Sequence, residues 1–248
     1  MQDKVIVITG SSGGIGAATA LLLAARGASL VLVARRKEAL EAVAARCGGR
    51  ALAIVADAEI REQVREVVKQ ALARYGRIDV WVNNVGRGIT RNPSELTDDD
   101  IDEMMRANVK SALYGMQEVL PHFKARGQGH VINLSSMLGR IPYAVFRSAY
   151  NGAKHFLGAL TANFRTEVRQ THPGIQVSLV SPGLVGTDFG LHALHGGPDS
   201  RALPEPQAVE EVAEVIAGVI ASPRPDVYTR PGAHDRVVEY FDGLGADP

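Results

Sequence analysis

Val5-Ile6-Val7-Ile8-Thr9-Gly10-Ser11-Ser12-Gly13-Gly14-Ile15-Gly16 is the stretch that decides the fold. Four β-branched residues in a row suit a strand covered on both faces. The glycines after them allow a tight turn and let backbone N–H groups approach a phosphate. Ile15–Arg26 then has helical spacing and stops at Gly27, a favourable helix-ending residue. A strand, a glycine-rich turn and a helix in that order predict a nucleotide-binding βα unit. The spacing is Gly-x-x-x-Gly-x-Gly rather than the commoner Gly-x-Gly-x-x-Gly.

Beyond this unit the alternation continues. Strands are expected at Leu30–Val33, Ala51–Val55, Ile78–Val82, His130–Leu134, Ile175–Val180 and Asp226–Thr229. Helices are expected over Lys37–Arg46, Ile60–Tyr75, Tyr150–Gln170 and Ala208–Ala221, with a short one at the C-terminus. Thr97 reads as an N-cap, and Asp98, Asp99 and Asp100 as carboxylates in the positive first turn of a helix that runs unbroken to Gly127. Regular β-α alternation predicts one α/β domain over residues 1–248, a doubly wound parallel sheet of about seven strands with helices on both faces. Only 183–206 breaks the rhythm, and a stretch that long without periodicity reads as a substrate loop or lid.

Composition narrows the function. Of 248 residues, 46% are apolar, ample for a core, and the formal net charge is zero. With no basic excess to meet phosphates, a nucleic-acid partner is not expected. No apolar run approaches the ~20 residues that span a bilayer, so no membrane partner is expected. The single cysteine, Cys47, cannot form an internal disulfide, and the N-terminus carries no secretory-type leader; a cytoplasmic protein is the expectation. Trp81 and the stripe Met104, Met105 and Met116 read as packing positions. His192 and His195, with Asp188 and Asp199 nearby, read as loop residues, and no metal is expected.

The end of the second strand bears on the cofactor. A carboxylate there hydrogen-bonds a ribose 2′-hydroxyl, whereas arginine accommodates a 2′-phosphate. Val33-Ala34-Arg35-Arg36-Lys37 has no acid before Glu38, so NADP(H) is expected over NAD(H).

Tyr150 and Lys154 are one helical turn apart on one face. A phenol with a pKa of ~10 is a poor acid-base catalyst at neutral pH. A cation held about 4 Å away is worth roughly 4 kcal/mol at a surface-like dielectric, enough to bring that pKa down by about three. The spacing therefore offers general acid-base chemistry.

These segments, in order and over essentially the whole chain, resemble the classical short-chain dehydrogenase/reductase family. Gly10, Ser11, Ser12, Gly14, Ile15 and Gly16 fall on its glycine motif. Asp57 and Ala58 match its adenine-contacting segment, and Asn84, Val85 and Gly86 its Asn-Asn-Ala-Gly signature, with Val in the Ala place. Pro182, Gly183, Val185 and Thr187 resemble the segment that holds the nicotinamide carboxamide. The resemblance implies a catalytic set of Asn108, Ser136, Tyr150 and Lys154, with Arg35 and Arg36 on the cofactor. Ser136 would hydrogen-bond the substrate oxygen and Tyr150 would deliver the proton. Lys154 would tune the phenol and hold ribose hydroxyls, and Asn108 would anchor a relay water. Ser135 is the rival for the serine role, but Gly139 follows Ser136 by three, as in the family pattern. Ser136 and Tyr150 are 14 positions apart, one more than is usual for the family.

The same resemblance implies a homodimer or homotetramer. The expected pocket wall, Leu138, Ile141, Tyr143, Phe146, Leu184, Phe189 and Leu191, is mostly apolar and favours a hydrophobic carbonyl or alcohol substrate. The alternative is a catalytically silent nucleotide-binding regulator on the same fold, which should lack one of Ser, Tyr or Lys. A nucleotide-sugar epimerase is disfavoured by the glycine spacing.

Overall fold

Val5–Thr9 forms β1, and every residue of it is buried, as a strand covered on both faces requires. The computed structural model describes residues 1–245. Around β1 lie β2 (Ser29–Ala34), β3 (Ala51–Val55), β4 (Val80–Asn83), β5 (Gly129–Leu134), β6 (Ile175–Ser181) and β7 (Asp226–Tyr228). All seven are parallel, in the order β3-β2-β1-β4-β5-β6-β7, so the expected doubly wound sheet is present. The order reverses between β1 and β4. In open α/β sheets that is the crevice where ligands bind, at the carboxyl ends of the strands.

Successive strand residues point to opposite faces, which divides the core in two. Ile6 and Ile8 pack on one side with α1 (Gly14–Ala25), α2 (Lys37–Arg46) and α7 (Val209–Ala221). Val7 and Trp81 pack on the other with α3 (Arg61–Tyr75), α5 (Ser111–Arg126) and α6 (Ser148–Thr171). α8 (Ala233–Asp242) follows β7. Among the described residues, no helix is long and apolar enough to cross a membrane.

Thr97 caps α4 (Asp98–Met105) as expected, in a capping box with Asp100. The unbroken helix predicted beyond it is not what forms. A π turn, Arg106–Lys110, separates α4 from α5 and carries Asn108 at its centre. The Asn108 side-chain amide donates to the Met104 carbonyl at 3.1 Å, an acceptor that a regular helix assigns to a backbone N–H. Apolar periodicity could not reveal this, because one extra residue in a turn leaves the stripe on both sides intact.

Candidate active site

The glycine turn, Arg35 and Arg36, Asp57, Asn84–Gly86, Ser136 and Pro182–Thr187 all follow the carboxyl ends of strands on the same edge of the sheet, while Asn108 comes from the π turn and Tyr150 and Lys154 from α6. In the turn after β1, Gly10 (φ 68°) and Gly14 (φ 53°) occupy the left-handed region that favours glycine. At Gly16 a Cβ would meet the Gly10 carbonyl oxygen at 2.4 Å and Asn84 Nδ2 at 2.6 Å, so only glycine lets α1 close on β4. Asn84 Nδ2 donates to the carbonyls of Thr9 and Gly10 and fixes the turn from the neighbouring strand. Ser11, expected at the cofactor, is turned inward instead. Its backbone N–H and its hydroxyl are both engaged with the Val33 backbone, so it ties the turn to β2. Ser12 stays at the surface and accepts from Arg36 at 3.2 and 3.3 Å.

The expectation that no carboxylate reaches the end of β2 fails. The parallel register sets Ala34 beside Val55, and the segment after β3 brings Asp57 and Glu59 each within 3.6 Å of Arg35. These acids are delivered by the next strand, so nothing adjacent in sequence to Arg35 announces them. Glu59 also pairs with Arg106 at 3.3 Å, and Arg106 with Glu103, which in turn holds Arg87 at 2.7 Å. Burial raises the Glu59 carboxyl above its ordinary pKa, and Asp57 and Glu103 add to it. Ala58 beside Asp57 is buried.

The residues expected to be catalytic gather near the ends of β4 and β5. Tyr150 and Lys154, both on α6, are buried, with the ammonium 5.7 Å from the phenol ring centre. The two serines part company here. Ser135 donates inward to the Lys154 carbonyl at 3.3 Å, whereas Ser136 lies against the Tyr150 hydroxyl and accepts the Leu138 N–H at 3.1 Å. Gly139 explains the spacing that singled out Ser136. A Cβ there would lie 2.8 Å from the backbone and Cβ of Lys154, so this turn can dock on α6 only with glycine. The extra residue before Tyr150 falls in a loop where Tyr143 and Val145 are exposed.

The expected lowering of the tyrosine by the lysine is not what the protein alone produces. Burial dominates and pushes the phenol up to about 12, with Ser136 and Arg147 opposing it. Burial also pulls the Lys154 ammonium down to about 7, and its Nζ donates to the Leu134 carbonyl at 2.9 Å. Gly86 sits between this lysine and the π turn, where an added Cβ would meet Asn108 Oδ1 at 2.9 Å and Lys154 Nζ at 3.3 Å. Asn108 clamps the loop after β4, accepting the Arg87 N–H at 3.1 Å and donating to the Arg87 carbonyl at 2.9 Å. Both its amide hydrogens are thereby engaged, one with Arg87 and one with Met104.

Segment 183–206 is a tethered loop rather than a free one. Thr187 packs over Gly14, whose added Cβ would lie 3.4 Å from the threonine methyl, so this segment closes on the glycine turn. The Pro182 carbonyl accepts the Met137 N–H at 2.7 Å, Gly183 lies beside Arg230, and Val185 bridges to Gln207. Phe189 places its ring 5.7 Å from that of Tyr150. Leu194 bridges to Ile89, and His195, at φ 66°, holds Asp100 at 2.7 Å. Asp100 is therefore more than a helix-start charge, since it also holds Arg91 at 2.9 Å. The Thr97-x-x-Asp100 spacing of a capping box is the sequence signal that sets it apart from Asp98 and Asp99, but nothing local announces His195 or Arg91 as its partners.

The pocket wall is less uniform than expected. Leu138 and Phe189 pack around Tyr150, whereas Phe146 and Leu191 are exposed. Ile141, Tyr143 and Leu184 line a cleft of about 670 Å³ whose far side is charged, with Glu205, Glu211, Arg230 and Arg236.

The glycine turn, the Asn84–Gly86 loop and the Thr187 segment form a cradle in which side chains at Gly10, Gly16 or Gly86 would collide with the walls. That shape fits an extended dinucleotide. The sequence model described as short chain dehydrogenase matches residues 4–193, most of the chain. The chain belongs to the short-chain dehydrogenase/reductase family. Within that family it is 33% identical to an uncharacterized oxidoreductase of Staphylococcus epidermidis over 196 residues, 77% of this chain and 84% of the relative. An alcohol dehydrogenase from the archaeon Thermococcus sibiricus, complexed with 5-hydroxy-NADP, superposes with a TM-score of 0.80 at 28% identity, covering 92% of this chain and 96% of that one. A 3-ketoacyl-(acyl-carrier-protein) reductase from Brucella melitensis, complexed with NADH, does so with a TM-score of 0.82 at 26% identity and the same coverage, 92% and 96%. Solved structures of this shape thus include one complexed with 5-hydroxy-NADP and one complexed with NADH.

Proposed function

We propose that the chain is an NADP(H)-dependent oxidoreductase acting on a carbonyl/secondary-alcohol pair, with Tyr150 as general acid and base. The observation that carries this reading is the meeting of Ser136, Tyr150 and Lys154 beside Gly86, at the strand ends that flank the cradle. A nicotinamide dinucleotide held there by the Gly10–Gly16 turn, Asn84–Gly86 and Pro182–Thr187 supplies or accepts the hydride. A carbonyl oxygen gaining negative charge needs a donor and a proton source within reach. Ser136 is the donor and Tyr150 gives up its proton. Lys154 stands next to the phenol to receive ribose hydroxyls and stabilise the anion left behind, and Asn108 keeps the loop under Gly86 in place.

The cofactor preference is supported by Arg36, which lies over Ser12 at the mouth of the glycine turn, with Arg35 and Lys37 on either side. Arg35 already faces Asp57 and Glu59, so Arg36 is the cation freer to take a 2′-phosphate. The apolar residues around Tyr150 favour a hydrophobic ketone or aldehyde at the reacting end, and the charged far side of the cleft admits a polar tail. A homodimer or homotetramer is supported by an apolar groove between α4 and α6, lined by Leu96, Ile101, Met105 and Val145. The single, buried Cys47 fits a cytoplasmic setting. The test is fluorescence titration with NADPH and NADH, then turnover with the preferred one on ketones, aldehydes and 3-oxoacyl thioesters. Saturable binding followed by turnover is expected. Binding with no turnover on any of the three classes would favour a silent regulator.

A further inference from the structure

Arg147, the residue before α6, is a buried guanidinium. Only 8% of the residue is exposed. Its Nη1 donates to the Ile89 carbonyl at 3.0 Å and to Thr90 Oγ1 at 3.3 Å, both neutral acceptors, and no carboxylate among the described residues pairs with it. Burying an unpaired charge is costly, and such groups recur where a site uses the field. It shares the neighbour Phe189 with Tyr150. One point in space, an added Cβ on Gly88, lies 3.0 Å from both Arg147 Nη1 and the Phe189 ring, and that ring stands 5.7 Å from the Tyr150 ring. Arg147 also precedes Tyr150 by three residues at the start of α6, a spacing that sets side chains on one face. The same guanidinium stands near the loop after β6, 3.3 Å from an added Cβ on Gly197.

We propose that Arg147 is a positioning residue that acts through Tyr150: its charge, held in place by the neutral Ile89 carbonyl and Thr90 hydroxyl, favours the anionic form of the phenol. The proposal rests on Tyr150 being the proton donor for its purpose, but not for its measurement. The charged and titratable groups facing Tyr150 are few. Ser136 and Tyr143 approach from the segment after β5, Arg147 and Lys154 from α6, and uncharged Phe189 from the loop after β6. Lys154 is directed to the Leu134 carbonyl, which leaves Arg147 as the cation whose removal changes the field at the phenol without disturbing a ribose contact.

The experiment labels the protein with 3-fluorotyrosine and follows position 150 by ¹⁹F NMR against pH, with Tyr150→Phe to assign the signal. Arg147→Gln should raise the titration midpoint by about one pH unit, and Arg147→Lys should stay within about a third of that change. Thermal unfolding of both variants is recorded alongside. Equal midpoints in the wild type and Arg147→Gln, with only a loss of stability, would overturn the proposal and leave Arg147 as a loop tether. If Arg147→Gln does not fold, Thr90→Val keeps the charge while removing one tether, and an unmoved midpoint in Arg147→Lys together with Thr90→Val supports the field over the tether. A midpoint that follows the tether instead overturns it. Should Tyr150→Phe retain turnover, the functional reading fails while the coupling measured by NMR stands.

Discussion

The ammonium of Lys154 donates to the carbonyl oxygen of Leu134 at 2.9 Å, while the ring centre of Tyr150 lies 5.7 Å from it. The pair that the sequence singled out is thus assembled through a third group, the end of β5. That strand also delivers Ser135 to the Lys154 backbone and Ser136 to Tyr150, so one strand end sets the positions of all three side chains. Burial holds the phenol protonated and the lysine easily neutralised in the protein alone. A phenol poised as an acid suits carbonyl reduction, and binding of a positively charged oxidised nicotinamide would favour its anion in the opposite direction.

Arg36 should govern cofactor choice. Arg36→Ala is expected to weaken NADPH binding by about tenfold to a hundredfold, the range for losing one charge-assisted contact, with NADH changed less than threefold. Fluorescence titration of both cofactors measures it, and parallel losses for the two would contradict the assignment.

Gly139→Ala should injure both stability and site. With a Cβ 2.8 Å from the Lys154 backbone, the turn must lift away from α6. Overpacking of this kind costs about 1–3 kcal/mol, read as a lower urea midpoint, and kcat should fall as Ser136 moves off Tyr150. An unchanged midpoint would mean that the turn yields freely.

Asp100 should act as an anchor for the loop 183–206. Asp100→Asn keeps the size, but it weakens the hold on His195 and Arg91. Faster limited proteolysis within 183–206 and a higher KM are expected, with kcat changed less than KM. Unaltered cleavage would show that the Leu194–Ile89 bridge suffices.

Much of the site was legible because strand ends and turn glycines have local signatures. The eight residues from Thr9 to Gly16 specify their own geometry, and Gly139 betrays a close approach wherever it falls. What stayed hidden depends on neighbours distant in sequence. Asp57 and Glu59 reach Arg35 only through the β2–β3 register, Thr187 reaches Gly14 only across the crevice, and Arg147 stands out only because no carboxylate among the described residues pairs with it once folded. The π turn at Asn108 was invisible for a different reason, since it leaves hydrophobic periodicity unbroken on both sides.

His130 should make the fold acid-sensitive, away from the site. Buried in β5 and bonded to Ser178 at 2.8 Å, it is held down to about 4 by burial. Its unfolded value of ~6.5 is higher, so the unfolded chain binds the extra proton between these limits. Its contribution is full above about pH 6.5 and is lost as pH falls through about 4, amounting to roughly 3 kcal/mol. Urea unfolding from pH 7 to 4 should show the decline, and His130→Gln should flatten it. A decline of equal size in that variant would assign it to other groups.

The central claim is that Tyr150 donates and accepts the proton. The direct measurement is single-turnover reduction by Tyr150→Phe, with NADPH affinity determined on the same sample, using the best carbonyl found for the wild type. Loss of turnover by at least about a hundredfold to ten-thousandfold with the NADPH Kd within threefold of wild type is the predicted result. A variant that binds NADPH and keeps most of its kcat would contradict it.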